Sequence, residues 1–254
     1  MLAWAGPAHA GLADRMAATF TAMAEDLIKV FQPMEGLVLE VEPGRVYLDL
    51  GEEAGAQVGQ EFTVFRKGEP FYHSVTGKPL GRYEDVLGYA QVSRVLPRLS
   101  EAVFVPVPNT PPPRMEDGVR ITRGRIRVAI APVLDLSASS ADVRRVPYLF
   151  ATVLERSKRF QVVDPTLVND TIAAQKIRVE EILGRPERAI PVGRTLEVSG
   201  WLVPILIRRG GVTYLDTTYV SAITGTALFS RREALVNATA TEEQRFPWEP
   251  VSED

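Results

Sequence analysis

The chain has 254 residues, 45% of them hydrophobic, and its 29 Lys and Arg against 32 Asp and Glu leave a formal charge of −3. That balance fits a folded globular protein of one or two domains and argues against a dedicated nucleic-acid or anionic-membrane binder. Cysteine is absent and histidine occurs twice. Disulfides, thiolate chemistry and histidine-rich metal clusters are therefore excluded, and no apolar run reaches the roughly 20 residues that span a bilayer.

Residues 1–10 end in Ala8-His9-Ala10, the small-x-small pattern that a signal peptidase accepts. They are expected to be a signal-peptide remnant, with a plain N-terminus as the alternative. Over 11–32, Leu12, Met16, Phe20, Met23, Leu27 and Val30 recur at steps of three and four. This predicts an amphipathic helix that Pro33 stops. Its apolar stripe is expected to pack on the domain that follows, or else to dock a partner.

Residues 33–122 read as a small β-barrel of the OB or SH3 kind, with five or six short strands cut by glycine turns. Val38, Val41, Val46, Leu48 and Leu50 supply two strands, turned by Glu42-Pro43-Gly44. Phe62–Phe65 is a third strand, Val75–Gly81 a hairpin tip, and Gly88–Val92 the return. Pro106, Pro108 and Pro111-Pro112-Pro113 read as a stiff spacer, after which Met115–Ile121 adds a last strand.

Residues 123–238 read as an α+β domain with a mixed sheet. Ile126–Val133 is a strand. Asp142–Arg159 is a helix that Pro147 kinks or delays, and Phe160–Val163 is a second strand. Asp164 caps, and Pro165 opens, a helix to about Ile177. Three long strands, 195–207, 212–223 and 226–236, then form a meander, and Pro204 marks the first as an edge or a bulge. The tail 239–254, with Phe246 and Trp248 isolated in it, is expected to be disordered. The fold class is thus α+β: an N-terminal helix, a small barrel, and an α+β domain ending in a three-stranded meander.

No catalytic constellation accompanies these elements. His73 lacks a G-x-S-x-G elbow, and Gly51–Gln60 and Gly184–Arg194 lack the G-K-[ST] ending that reaches a phosphate. The acidic pairs are sequence neighbours whose side chains splay apart. Arg144-Arg145, Lys158-Arg159, Arg208-Arg209 and Arg231-Arg232 recur, with Arg123, Arg125 and Arg127 nearby. They read as helix caps and turn tips, or alternatively as a cationic face for an anionic polymer. No catalytic, cofactor or metal residue is expected.

The front half, through Val46–Gly51, Gly55–Phe62 and Thr76–Gly81, resembles the barrel domain of the flagellar assembly protein T family. The back half, through Ile126–Pro132, Arg159–Asp164, Leu196–Gly200 and Ile223–Gly225, is similar to the α+β domain of the amino-terminal part of TolB and of the curli secretion channel. The resemblance implies a non-catalytic, exported scaffold or accessory subunit of a bacterial envelope assembly, periplasmic or outer-membrane-associated. Its partners would be envelope proteins or further copies in a ring, not nucleic acid. The expected contact residues are Tyr72 and Tyr83 in the 71–87 loop, with Arg208 and Arg209. The alternative is a binding module for an anionic polymer or ligand on the arginine-rich face.

Overall fold

The computed structural model describes residues 11–137 and 141–236. The stretches read as a signal remnant (1–10) and as a disordered tail (239–254) lie outside the described residues. The architecture is α+β, as expected. Helix α1 (Leu12–Val30) leads into β1 (Met34–Glu42), β2 (Arg45–Leu48), β3 (Glu61–Tyr72), β4 (Pro79–Val95), β5 (Ser100–Pro106) and β6 (Gly118–Ile121). These strands close into a barrel in the order β1-β2-β5-β4-β3-β6, with β6 joining β1 to β3. Val38, Val46, Leu48, Phe62, Val64, Leu87 and Ala90 are among the side chains that fill it.

Beyond the barrel come β7 (Ile126–Ile130), β8 (Leu134–Leu136), α2 (Val146–Arg156), β9 (Phe160–Val162) and α3 (Pro165–Ala174). Then follow α4 (Val179–Gly184), α5 (Pro186–Thr195), β10 (Gly200–Arg209), β11 (Val212–Ser221) and β12 (Ala227–Ala234). The sheet runs β12-β11-β10-β7-β9, with β8 beside β10. Period-two alternation sends Ile126, Val128, Ile130, Leu202 and Leu206 to one face, and Ala129, Ala131, Trp201 and Val203 to the other. Helices α3, α4 and α5 cover the second face.

The first face is covered by α2 and by α1, a helix from the other side of the barrel in sequence. Met16, Phe20, Met23 and Leu27 are buried there, and Phe20 stacks on Phe150 with ring centroids 4.0 Å apart. At about 1.5–3 kcal/mol for each large apolar side chain buried, this contact fixes the helix more firmly than its own propensity could. The expected docking of α1 on the barrel is therefore corrected: the barrel interior is filled by its own strands, and the stripe completes the neighbouring sheet. The barrel is inserted between α1 and the rest of that α/β body.

Two local expectations also change. Pro204 lies in a central strand, neither at an edge nor at a bulge. Its neighbour on one side is β11 throughout. On the other side β7 pairs only as far as Leu202, and β8 begins at Ile205. The missing N–H thus falls in the interval between two short parallel partners. Thr195 belongs to the end of α5 rather than to a strand, which starts at Gly200. Pro147 sits in the first turn of α2 and delays its start to Val146.

The two chain crossings between body and barrel, after α1 and after β6, meet at one side chain. Arg159 is 9% exposed, and its Nε donates to the Phe31 carbonyl at 2.5 Å. Its two terminal nitrogens donate to the carbonyls of Gly124 and Thr122, each at 2.6 Å. Arg125 returns the contact by donating to the Phe160 carbonyl at 2.9 and 2.6 Å. Phe31 itself is wedged between the rings of Phe160 and Tyr219, at centroid distances of 5.5 and 4.5 Å. Burial pulls the Arg159 pKa down, yet a guanidinium stays charged at any physiological pH. Arg159→Met keeps the apolar stem and strands three carbonyls, so it should cost about 3–5 kcal/mol in denaturant unfolding. A loss within the roughly ±0.5 kcal/mol of an ordinary surface change would show that the clamp is not structural.

Candidate functional site

Two places carry chemistry that packing alone does not explain, one at each end of the barrel. The first lies where the barrel meets the body. Gln60 donates to the Val30 carbonyl at 3.1 Å. Next to it, Glu61 opens β3 with its carboxylate facing the β11–β12 turn. Its two oxygens accept from the hydroxyls of Ser221 at 3.0 Å and Thr224 at 2.6 Å. Burial drives its pKa up, and those hydroxyls hold it back in part. Tyr219 is raised by its burial and, secondarily, by Glu61, and the same pair of causes raises Tyr89. The Tyr219 ring occupies the space where a Cβ on Gly200 would stand, 2.2 Å from its nearest atom. The cavity between these groups, bordered also by Arg120 and Ser199, measures about 90 Å³, too small for an organic substrate.

The second place is the far end of the barrel. β3 and β4 continue past it as a two-stranded arm, because β6 pairs with β3 only over Thr63–Phe65 and β5 pairs with β4 only from Gly88. Arg66 anchors its base: Nε and one terminal nitrogen grip the buried Asp117 carboxylate at 2.8 and 2.7 Å, and the latter also donates to the Pro112 carbonyl. Asp117 also accepts from the Arg114 backbone N–H at 2.8 Å. The proline segment is thereby a strap across the barrel end, internal to it, and not a free spacer. Thr110 Oγ1 fastens it to the carbonyls of Leu87 and Val107, both at 2.8 Å. A cleft of about 570 Å³ opens between this strap and the β1–β2 turn, lined by Val41, Pro43, Phe104, Pro106 and the Pro111–Pro113 run.

Tyr72 and Tyr83 stand on the arm, 58% and 63% exposed. The Phe71 ring lies over Gly81, where a Cβ would meet it at 3.2 Å, and against Tyr83 with centroids 5.2 Å apart. Val75, Leu80, Val86, Val103 and Met115 add further exposed apolar side chains to the arm and the adjoining rim. His73 sits at the arm's tip, where its Nδ1 accepts from the backbone N–H of Val75 at 3.1 Å and of Thr76 at 3.3 Å. It is a turn cap.

Arg208 and Arg209 are brought nowhere near these tyrosines. They end β10 beside the Gly210-Gly211 turn, whose φ values are +54° and +80°. The Gly200 end of that strand faces the barrel, so at about 3.3 Å per residue the arginine tip lies roughly 30 Å farther out. Among the described residues, several of the other arginines are engaged elsewhere. Arg144 pairs with Asp142, Arg127 with Glu197, Arg232 with Asp216, and Arg231 with Asp26 and Glu233, while Arg159 is buried. Among the described residues no group of three or more His, Cys, Asp or Glu could hold a metal, and no helix is long and apolar enough to cross a membrane. Sequence reasoning missed the roles of Glu61, Arg66, Asp117 and Arg159, whose long-range partners lie 35 to 163 residues away.

No family model matches the chain, and no curated protein matches it. Similar solved structures include the LpoB C-terminal domains from Salmonella enterica and Escherichia coli. These align over 44% and 45% of this chain and 84% and 85% of their own, at 14% identity and a TM-score of 0.38 each. Lipoprotein GNA1162 from Neisseria meningitidis aligns over 47% of this chain and 85% of its own, at 14% identity and a TM-score of 0.37. The resemblance to flagellar assembly protein T and to the TolB and curli domains is corrected accordingly: the structures found are lipoprotein domains of another kind, and no family model supports it.

Glu61 gives a pH test of the junction. Below the ordinary glutamate pKa of about 4.3 it is protonated in both folded and unfolded chains and carries no penalty. As pH rises, the unfolded chain releases the proton first, because the folded pKa is raised, so this group's contribution to stability falls. Glu61→Gln keeps one acceptor and offers an N–H to the other hydroxyl. Its melting temperature relative to the unaltered chain should climb from pH 4 to neutrality. A difference independent of pH would contradict a raised Glu61.

Proposed function

We propose that the chain is a non-catalytic accessory or scaffold protein of a bacterial envelope assembly. In this reading the α/β body holds the barrel by one end, and the barrel presents its free end, arm and rim together, to a protein partner. What supports it is the gathering of exposed large apolar side chains, Phe71, Tyr72, Val75, Leu80 and Tyr83, on an arm that covers no core of its own. Monomeric surfaces rarely carry such patches without a use, and rigid aromatic side chains are the usual anchors of protein interfaces. The envelope location rests on the Ala8-His9-Ala10 pattern. The anionic-polymer reading loses ground because Arg127, Arg144, Arg231 and Arg232 pair with carboxylates and Arg159 is buried among carbonyls, while Arg208 and Arg209 sit apart from them at a turn tip.

A photo-crosslinking residue placed at Tyr72 or Tyr83 in the full chain should capture an envelope protein in cells. One at Leu136, also exposed but on the body, should not. Tyr72→Ala with Tyr83→Ala should weaken the captured partner's binding by about tenfold or more, since anchors of this kind carry roughly 2 kcal/mol or more. Equal capture from position 136, or unchanged affinity, would contradict the reading.

A further inference from the structure

The arm has two open backbone edges, and they are not alike. The β3 edge carries Lys67 and Pro70 and an extra residue between them, all features that blunt an edge against pairing. The extra residue opposite the Phe71–Tyr72 step is instead Leu80, at the tip end of β4. The β4 edge carries neither proline nor lysine from Leu80 to Val86. At one end it is bounded by Pro79. At the other, the Leu87 carbonyl is taken by the Val107 N–H at 3.0 Å and the Thr110 hydroxyl at 2.8 Å, where the proline strap turns away. Among the described residues no strand pairs with this edge until β5 does so at Gly88. The open stretch, 80–86, is centred on Tyr83.

That stretch is complementary to itself. Laid antiparallel on a second copy about Tyr83, Leu80 stands opposite Val86 of the other copy, Gly81 opposite Asp85, Arg82 opposite Glu84, and the two Tyr83 side chains opposite each other. Arg82, Glu84 and Val86 share one face of the strand, and each Leu80–Val86 pair stands next to an opposite-charge pair. The Tyr83 pair lies on the other face, with Phe71 beside each ring. Glu84 already binds Arg120 through Oε2 at 2.6 Å, which leaves Oε1 for the incoming Arg82.

From this we propose that the chain forms a two-fold homodimer in which the β4 edges of two arms pair antiparallel over residues 80–86, joining two hairpins into one four-stranded sheet. Two-stranded hairpins are marginal alone, and a wider sheet relieves that. A contact of this symmetry closes at two copies, so it builds a dimer and not a ring. The inference rests on the reading of the arm as a contact surface. Its test uses purified full-length chain with no other protein, so its failure leaves the envelope-partner reading standing.

Sedimentation equilibrium over a concentration series up to the millimolar range should show monomer passing to dimer. Arg82→Glu and Glu84→Arg each place like charges opposite one another twice and should each weaken the dimer by about tenfold. An equimolar mixture of the two variants restores both attractive pairs and should recover a dimer of nearly the original affinity, which a fold defect in either could not do. A chain that stays monomeric throughout, single variants that dimerise undiminished, or a mixture no tighter than its components would each overturn the proposal.

Discussion

The guanidinium of Arg159 settles how this molecule is put together. A buried cation is costly unless every donor finds an acceptor, and here the acceptors are three backbone carbonyls, at Phe31, Thr122 and Gly124. Those carbonyls flank both passages between barrel and body. One side chain from the turn after α2 thereby fixes where the barrel begins and where it ends. With Phe31 held between Phe160 and Tyr219, α1 has no freedom to pack elsewhere, and its stripe completes the first face of the sheet.

Much of the local structure was legible in the sequence because local rules govern it. The three-four spacing of Met16, Phe20, Met23 and Leu27 gave a helix. Glu42-Pro43-Gly44 gave the first turn, with Gly44 at φ +75°, and Asp164-Pro165 gave the start of α3, with Asp164 accepting from the Thr166 N–H at 2.8 Å. Helices α4 and α5 escaped notice because Gly184, Pro186, Pro191 and Gly193 break any helical pattern. The reason for Gly193 is spatial: a Cβ there would meet the Ala222 Cβ at 2.7 Å. The covering of the sheet by α1, the gap that accommodates Pro204, and the partners of Glu61 and Arg159 are all long-range pairings, which no window of sequence contains.

The candidate site was legible in part. Tyr72 and Tyr83 stand out as aromatics in a glycine- and proline-marked hairpin, and the structure puts both on an exposed arm. Arg208 and Arg209 stand out as a charged pair, yet they occupy the opposite end of the molecule, where nothing joins them to the arm. What the sequence lacked was depth. It showed neither that β3 and β4 outrun their neighbours nor that Arg66 and Asp117 pin the arm's base. The projecting edge is the part of the molecule on which the proposed contact role rests, and the small polar cavity at Glu61 lies at the seam between barrel and body.

The central claim is that the barrel is an insertion carried by an α/β body that needs α1 but not the barrel strands. It is tested most directly by replacing residues 34–121 with a short glycine-serine linker and following thermal unfolding by near-ultraviolet circular dichroism. The account predicts a cooperative transition, because α1, Arg159 and its three carbonyl acceptors all survive the deletion. A chain with no tertiary signal and no cooperative transition would contradict it, and would make barrel and body a single folding unit.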